Sequence, residues 1–234
     1  MKLKMKPKVL VGCPTSDYKD YCLNKYAESV KNLSYDNYDI LLVDNSKTNE
    51  YSEKIKKLGL KVIKDKYTES ARERIVNSRN ILREYAIKKD YGYLLSLEQD
   101  VIPPRDIIER LLRYNKKVIA GVYFAVNFYQ GKHQLLPLIW VDFDEKNKKM
   151  FYVDKIRLWS NKLIKIATCG LGCILIHKDI LKKFKFRFDS NYKEGFDDMF
   201  FCKDLRENKI EIYVDTSIKC KHLVKDWSWK NIKI

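Results

Sequence analysis

Two carboxylates two positions apart, Glu98 and Asp100, follow directly on the apolar run Tyr93-Leu94-Leu95-Ser96-Leu97. In an extended chain, residues i and i+2 point to the same side, so the two acids would stand together. Carboxylates that close repel unless a cation or a shared proton relieves them. A divalent metal holding a diphosphate is one natural occupant, because Mg²⁺ or Mn²⁺ combines a few carboxylates with phosphate oxygens. Loop acids that merely meet water are the plainer alternative. A second acidic pair, Asp197-Asp198, opens an expected helix, and Asp44 ends the run Asp39-Ile40-Leu41-Leu42-Val43. His222 continues the parity of Ile210, Ile212, Val214, Ile218 and Cys220. There it could complete a metal site as a neutral imidazole, or simply be a hydrogen-bonded surface His. His133 and His177 have no comparable setting.

These groups need a scaffold that gathers them. Strand-like and helix-like segments alternate through the first half, the pattern of an α/β fold with a mainly parallel central sheet flanked by helices. Buried strands are expected at Lys8–Gly12, Asp39–Val43, Leu60–Ile63, Tyr93–Leu97 and Val118–Phe124. Ser16 is placed to cap a helix carrying Cys22, Leu23, Tyr26, Ala27 and Val30. A longer helix over 69–89 would turn Ala71, Ile75, Leu82, Tyr85 and Ala86 inward, and Pro103-Pro104 would start another. Leu135–Phe143 and Lys149–Ile156 flank a polar turn and read as a hairpin insert. No repeat or Pro/Gly/Ser-rich linker divides the chain. A single domain over 1–234 is therefore expected: a nucleotide-binding half to about 124, an acceptor-side half over about 125–223, and a tail over 224–234. In open α/β sheets, ligands bind beyond the carboxyl ends of the strands, where Asp44, Glu98 and Asp100 fall.

Composition narrows the classes. The chain has 234 residues, is 45% hydrophobic and 13% aromatic, and so can bury a core, which excludes wholesale disorder. No apolar run reaches the roughly 18 residues of a spanning helix. Residues 1–7 lack the apolar stretch of a signal peptide. The net charge of +16 raises nucleic acid, anionic lipid or a phosphorylated ligand as partners. The lysines are spread from end to end, however, as they are on solvated faces. Among the six cysteines no Cys-x-x-Cys pair occurs, so a zinc site or disulfide framework is a weak reading. A reducing cytoplasm is the favoured setting.

From about residue 8 to 223 the chain resembles the GT-A-fold glycosyltransferases, most closely the family 2-like group. The resemblance rests on Val9-Leu10-Val11-Gly12-Cys13-Pro14-Thr15, Leu42-Val43-Asp44-Asn45-Ser46, Ser78-Arg79-Asn80 and Leu95-Ser96-Leu97-Glu98-Gln99-Asp100. It continues through Cys169-Gly170-Leu171-Gly172-Cys173, Phe188-Asp189, Gly195-Phe196-Asp197-Asp198-Met199-Phe200-Phe201, and Tyr213-Val214-Asp215 to His222. Each piece is weak alone; their order is the strong signal.

The resemblance implies transfer of a sugar from a nucleotide-diphospho-sugar, UDP- or GDP-linked, to an acceptor hydroxyl on a glycan, a lipid-linked or another molecule. Pro14, Thr15 and Asp44 would line the nucleobase and ribose pocket, with Arg79 near the donor phosphates. Glu98-Gln99-Asp100 would stand for the Asp-x-Asp metal motif, Asp100 and His222 ligating Mn²⁺ or Mg²⁺. Gly170 and Gly172 would let the backbone approach the sugar. Asp197-Asp198 would match the acidic pair near the acceptor, with Asp198 favoured over Asp197 as base. Two departures matter: Glu98 replaces the first Asp of the metal motif, and the acidic pair is not the commoner Glu-Asp. An inverting transfer is expected, with retention left open.

Other readings compete. Trp227 and Trp229 among lysines suggest a flap over the donor, or a tail touching a membrane's inner face. Tyr129, His133, Trp140 and Trp159 would lie on the acceptor side, or else form a plain hairpin core. A non-catalytic nucleic-acid- or sugar-binding module is the alternative class. No helix-turn-helix or aromatic RNA-binding signature supports specific nucleic-acid binding. A nucleotidyltransferase would want a Gly-rich loop after the first strand, where this chain has one Gly.

Overall fold

The apolar runs Val9–Thr15 (β1), Tyr38–Asp44 (β2), Lys61–Lys64 (β3) and Tyr93–Leu97 (β4) lie side by side as parallel strands. This is seen in a computed structural model that describes residues 6–129, 131–144, 149–191 and 195–225. Val118–Val122 (β5), Leu163–Ile166 (β6), Cys173–His177 (β7) and Ile212–Lys219 (β8) complete an eight-stranded sheet in the order β6-β8-β5-β7-β4-β1-β2-β3. β7 runs antiparallel between β4 and β5, and β6 antiparallel on the β8 edge; all other strands share one direction. The sheet is thus mainly parallel, as expected. Its apolar runs are continuous because both faces are covered, with Leu10, Leu41, Val43 and Leu94 in one layer and Val9, Val11, Leu42 and Leu95 in the other.

The flanking helices are Leu23–Lys31 (α1), Glu50–Lys57 (α2), Ala71–Lys88 (α3), Ile107–Leu112 (α4), Lys178–Lys183 (α5) and Asp197–Glu207 (α6), besides shorter turns. α1 buries Leu23, Tyr26, Ala27 and Val30 on one stripe, as its spacing predicts. Ser16 departs from expectation. It precedes a 3-10 turn, Asp17–Cys22, and makes no capping bond. The Ser46 hydroxyl accepts the Asp17 N–H instead, at 2.8 Å. α3 also departs, because Ala71 is exposed while Ser78, Arg79 and Arg83 are buried beside Leu82 and Ala86.

The run Val118–Phe124 is not one strand. It breaks at Tyr123, and Phe124–Tyr129 leaves the sheet to pair with Lys132–Pro137. The expected hairpin is present as Ile139–Asp144 against Lys149–Tyr152, with Thr168–Cys169 added on its other side. Its first arm begins only at Ile139, because Leu135–Pro137 pair with Phe124–Val126 instead. Its second ends before Ile156, because the Asp154 carboxylate caps the one-turn helix Lys155–Leu158. Trp140 is buried against Tyr152, ring centroids 5.3 Å apart, and belongs to this small core. Trp159 is half exposed beneath the Lys219 ammonium. The Tyr129 side chain and the tail residues Trp227 and Trp229 lie outside the described residues. Among the described residues, no helix is long and apolar enough to cross a membrane.

Since β1, β2, β4, β5 and β8 point the same way, their carboxyl ends bring Thr15, Asp44, Glu98, Tyr123 and His222 to one edge of the sheet.

Candidate functional site

Glu98-Gln99-Asp100 leaves β4 as a turn, not as extended chain, closed by the Val101 N–H donating to the Glu98 carbonyl at 2.9 Å. The two acids therefore meet different partners. Gln99 points inward and holds the turn: its amide nitrogen donates to the Lys19 carbonyl (2.7 Å) and the Tyr51 hydroxyl (2.8 Å), and Thr15 donates to its carbonyl oxygen. Val101–Ile102 pairs antiparallel with Lys221–His222, setting Val101 opposite His222. The Leu223 N–H donates to the Asp100 carbonyl at 2.7 Å. Residues 122 apart in sequence are thereby locked side by side.

Asp100 is almost fully buried. Its Oδ2 meets His222 Nε2 at 3.1 Å and forms an ion pair with the Lys19 ammonium. Its Oδ1 is buried with no partner among the described residues. His222 Nδ1 donates to the Phe124 carbonyl at 2.7 Å, and Tyr123 packs edge-on against the imidazole. A His fixed through Nδ1 presents Nε2 as the ligating nitrogen, the usual outer support of a metal-binding imidazole. Burial disfavours charge on both groups, yet each outweighs that for the other. The Asp100 carboxyl, also drawn down by Lys19, lies below its ordinary range, and His222 lies above. An orphaned carboxylate oxygen beside an anchored imidazole suits a divalent cation that completes its shell with phosphate oxygens.

Arg79 joins the two acidic motifs. Its guanidinium reaches the Ser96 hydroxyl (2.6 Å), Glu98 Oε1 (2.5 Å) and, through Nε, the Asp197 carboxylate. Burial works against its charge, but Asp197 and then Glu98 outweigh that and hold it cationic. The guanidinium expected beside donor phosphate is thus engaged by protein groups. Asp198 opens α6, half buried, and its Oδ1 accepts the Met199 N–H at 2.8 Å. Burial first, and the Asp197 charge second, push the Asp198 carboxyl up to about 7.

A cleft of about 410 Å³ opens beside these groups, lined by Pro14, Thr15, Tyr18, Lys19, Arg74 and Glu98 among others. Asp44 stands behind it. Fully buried, its carboxylate accepts from Ser46 N–H (2.8 Å), Ser46 Oγ (2.5 Å) and Ser52 Oγ (2.6 Å). Asp44 therefore shapes the loop after β2, and Asn45 lines the cleft in front of it.

Gly170 and Gly172 face Tyr123. A Cβ at Gly170 would fall 2.1 Å from the Tyr123 hydroxyl, and one at Gly172 2.7 Å from the ring. The Gly172 N–H donates to that hydroxyl at 3.0 Å. What the missing side chains admit here is this tyrosine. Tyr123, Lys19 and Gln99 are the site residues that sequence reasoning missed.

The model of a family described as Glycosyl transferase family 2 matches residues 22–185. No curated protein matches the sequence. Among solved structures, GalNAc-T7 with UDP, GalNAc and Mn²⁺ superposes with a TM-score of 0.71 at 12% identity, over 94% of this chain and 44% of that one. A197 from STIV superposes at 0.51 and 16% identity, over 93% of this chain and 86% of that one. At such identities the likeness is one of fold, a GT-A architecture.

Proposed function

Because the chain belongs to glycosyl transferase family 2, we propose that it moves a hexosyl group from a nucleoside-diphospho-sugar to a glycan or lipid-linked hydroxyl, with inversion. The observation that supports this best is Asp100 beside His222, with one carboxylate oxygen buried and unpartnered among the described residues. Its neighbours Lys19, Glu98 and Gln99 line a cleft of about 410 Å³. Pro14, Thr15 and Asn45 form the floor for the base and ribose, and exposed Tyr18 offers a ring face at the rim. Asp100 and His222 would hold Mn²⁺ or Mg²⁺, which would supply positive charge opposite the departing nucleoside diphosphate.

Asp198 accepts the proton of the acceptor hydroxyl as that oxygen bonds to the anomeric carbon and the bond to the diphosphate oxygen breaks. Arg79 fixes the Asp197 carboxylate beside Asp198, and the charge of Asp197 helps to keep Asp198 basic. Glu98, held by Arg79 and bordering the cleft, is placed for a ribose or water-mediated contact rather than direct ligation.

Thermal melting with UDP, GDP and dTDP, each with and without Mn²⁺, tests the reading. One nucleotide should raise Tm in a metal-dependent way through binding linkage, and Asp100→Ala should remove the effect while the fold survives. No response to any nucleotide would leave the binding-module class instead.

A further inference from the structure

Lys19 enters the site from the 3-10 turn Asp17–Cys22, whose backbone is fixed independently of the lysine side chain. The Lys19 carbonyl accepts from Gln99, its N–H donates to the Ser16 carbonyl at 2.8 Å, and the Asp17 N–H is held by Ser46. The side chain spans two environments. Its stem borders the cleft beside Pro14, Thr15 and Glu98, and its ammonium lies on Asp100 Oδ2, the oxygen that His222 also meets. About a third of the side chain stays exposed, whereas Asp100 is sealed.

An ammonium and a divalent cation both seek this carboxylate, and they repel each other at such range. Asp100 cannot pair fully with both. A lysine is a point charge on a flexible four-carbon stem, so it can leave the carboxylate without any change in the turn that carries it. The cleft that Lys19 lines is open to it, and there donor phosphates would offer the charge it gives up.

We propose that Lys19 is the counter-ion a metal must displace from Asp100, and that the displaced ammonium then contacts the donor diphosphate. Metal loading and donor loading are thereby coupled. This rests on the metal and donor assignment above and adds a role specific to this chain's own Lys19.

The test is Mn²⁺ titration, followed through the electron paramagnetic signal of free Mn²⁺, with and without UDP. Wild type, Lys19→Met, Lys19→Arg and Asp100→Asn are compared, each checked for native melting. Lys19→Met should bind Mn²⁺ alone about tenfold more tightly, a change on the scale of inter-site coupling, and UDP should then improve Mn²⁺ affinity less than in wild type. Lys19→Arg should restore the wild-type pattern. Unchanged Mn²⁺ affinity in Lys19→Met, beside a loss in Asp100→Asn, overturns the role of Lys19 and leaves the metal site standing. Unchanged affinity in Asp100→Asn removes the metal assignment itself. Metal-free UDP binding that Lys19→Met abolishes would make Lys19 the permanent cation, which also overturns displacement.

Discussion

Asp197 lies against Arg79 Nε, whereas Asp198 accepts one backbone N–H, and that difference is why Asp198 is the carboxylate we propose as base. A general base works best when its pKa lies near the working pH, which burial and the Asp197 charge arrange for Asp198 at about 7. The acid limb of kcat/KM for the donor should therefore fall near pH 7, activity being lost below it. Asp197→Asn removes the neighbouring charge and should move that limb to lower pH, whereas a limb that stays put would exclude Asp198 as the titrating group. Stability runs the other way. The folded state keeps Asp198 protonated above the ordinary carboxylate value of 3.8, so it binds more protons than the unfolded chain between about pH 4 and 7. Stability from this group is complete below that window and is lost as pH rises through it. Asp198→Asn should accordingly abolish transfer yet melt higher than wild type at pH 8, the trade expected where an active site stores strain.

At the level of elements, α3 and the glycine run show why part of the site stayed hidden in the sequence. Strands β1, β2 and β4 were legible because sheets covered on both faces leave uninterrupted apolar runs, and the acids that end them were legible for the same reason. The inward face of α3 was not. Charged residues ordinarily face water, so its periodicity pointed to Ala71 and Ile75, yet Arg79 and Arg83 are buried. Their burial is repaid by partners distant in sequence, Glu98 and Asp197 for Arg79 and the Phe184 carbonyl for Arg83. Tyr123 was hidden likewise, since only folding brings it over Gly170 and Gly172. Gly172→Ala puts a methyl group into the Tyr123 ring and should destabilise by about 1–3 kcal/mol in urea unfolding, the usual scale of overpacking. Because that ring also braces His222, Mn²⁺ affinity should fall in the same variant. Lost stability with Mn²⁺ affinity unchanged would show that the ring merely fills space.

Over the whole molecule, the charge of +16 and the acidic edge of the sheet make one field. Asp44, Glu98, Asp100, Asp197 and Asp198 gather at or behind that edge, where Arg79, Lys19 and His222 pair directly with three of them. Much of the excess positive charge sits elsewhere, as on the opposite strand ends, where Lys8, Lys31, Lys61 and Lys89 border a separate groove of about 650 Å³. A nucleoside-diphospho-sugar carries negative charge, so on the proposed function a basic exterior would raise its local concentration while Asp100 beneath would be kept for a metal. Such steering acts on encounter and is screened within about 8–10 Å at physiological salt, whereas buried pairs such as Arg79 with Asp197 are screened far less. Raising ionic strength from roughly 20 to 300 mM should therefore lower kcat/KM for the donor several-fold and leave kcat nearly unchanged. Equal losses in both would place the salt-sensitive charges inside the reacting complex. A flat kcat/KM would reduce the lysine excess to solubility alone. Replacing Lys8, Lys61 and Lys89 together with Gln tests the same field from the protein side: the groove is remote from the site, so any fall in kcat/KM that low salt magnifies must act through space.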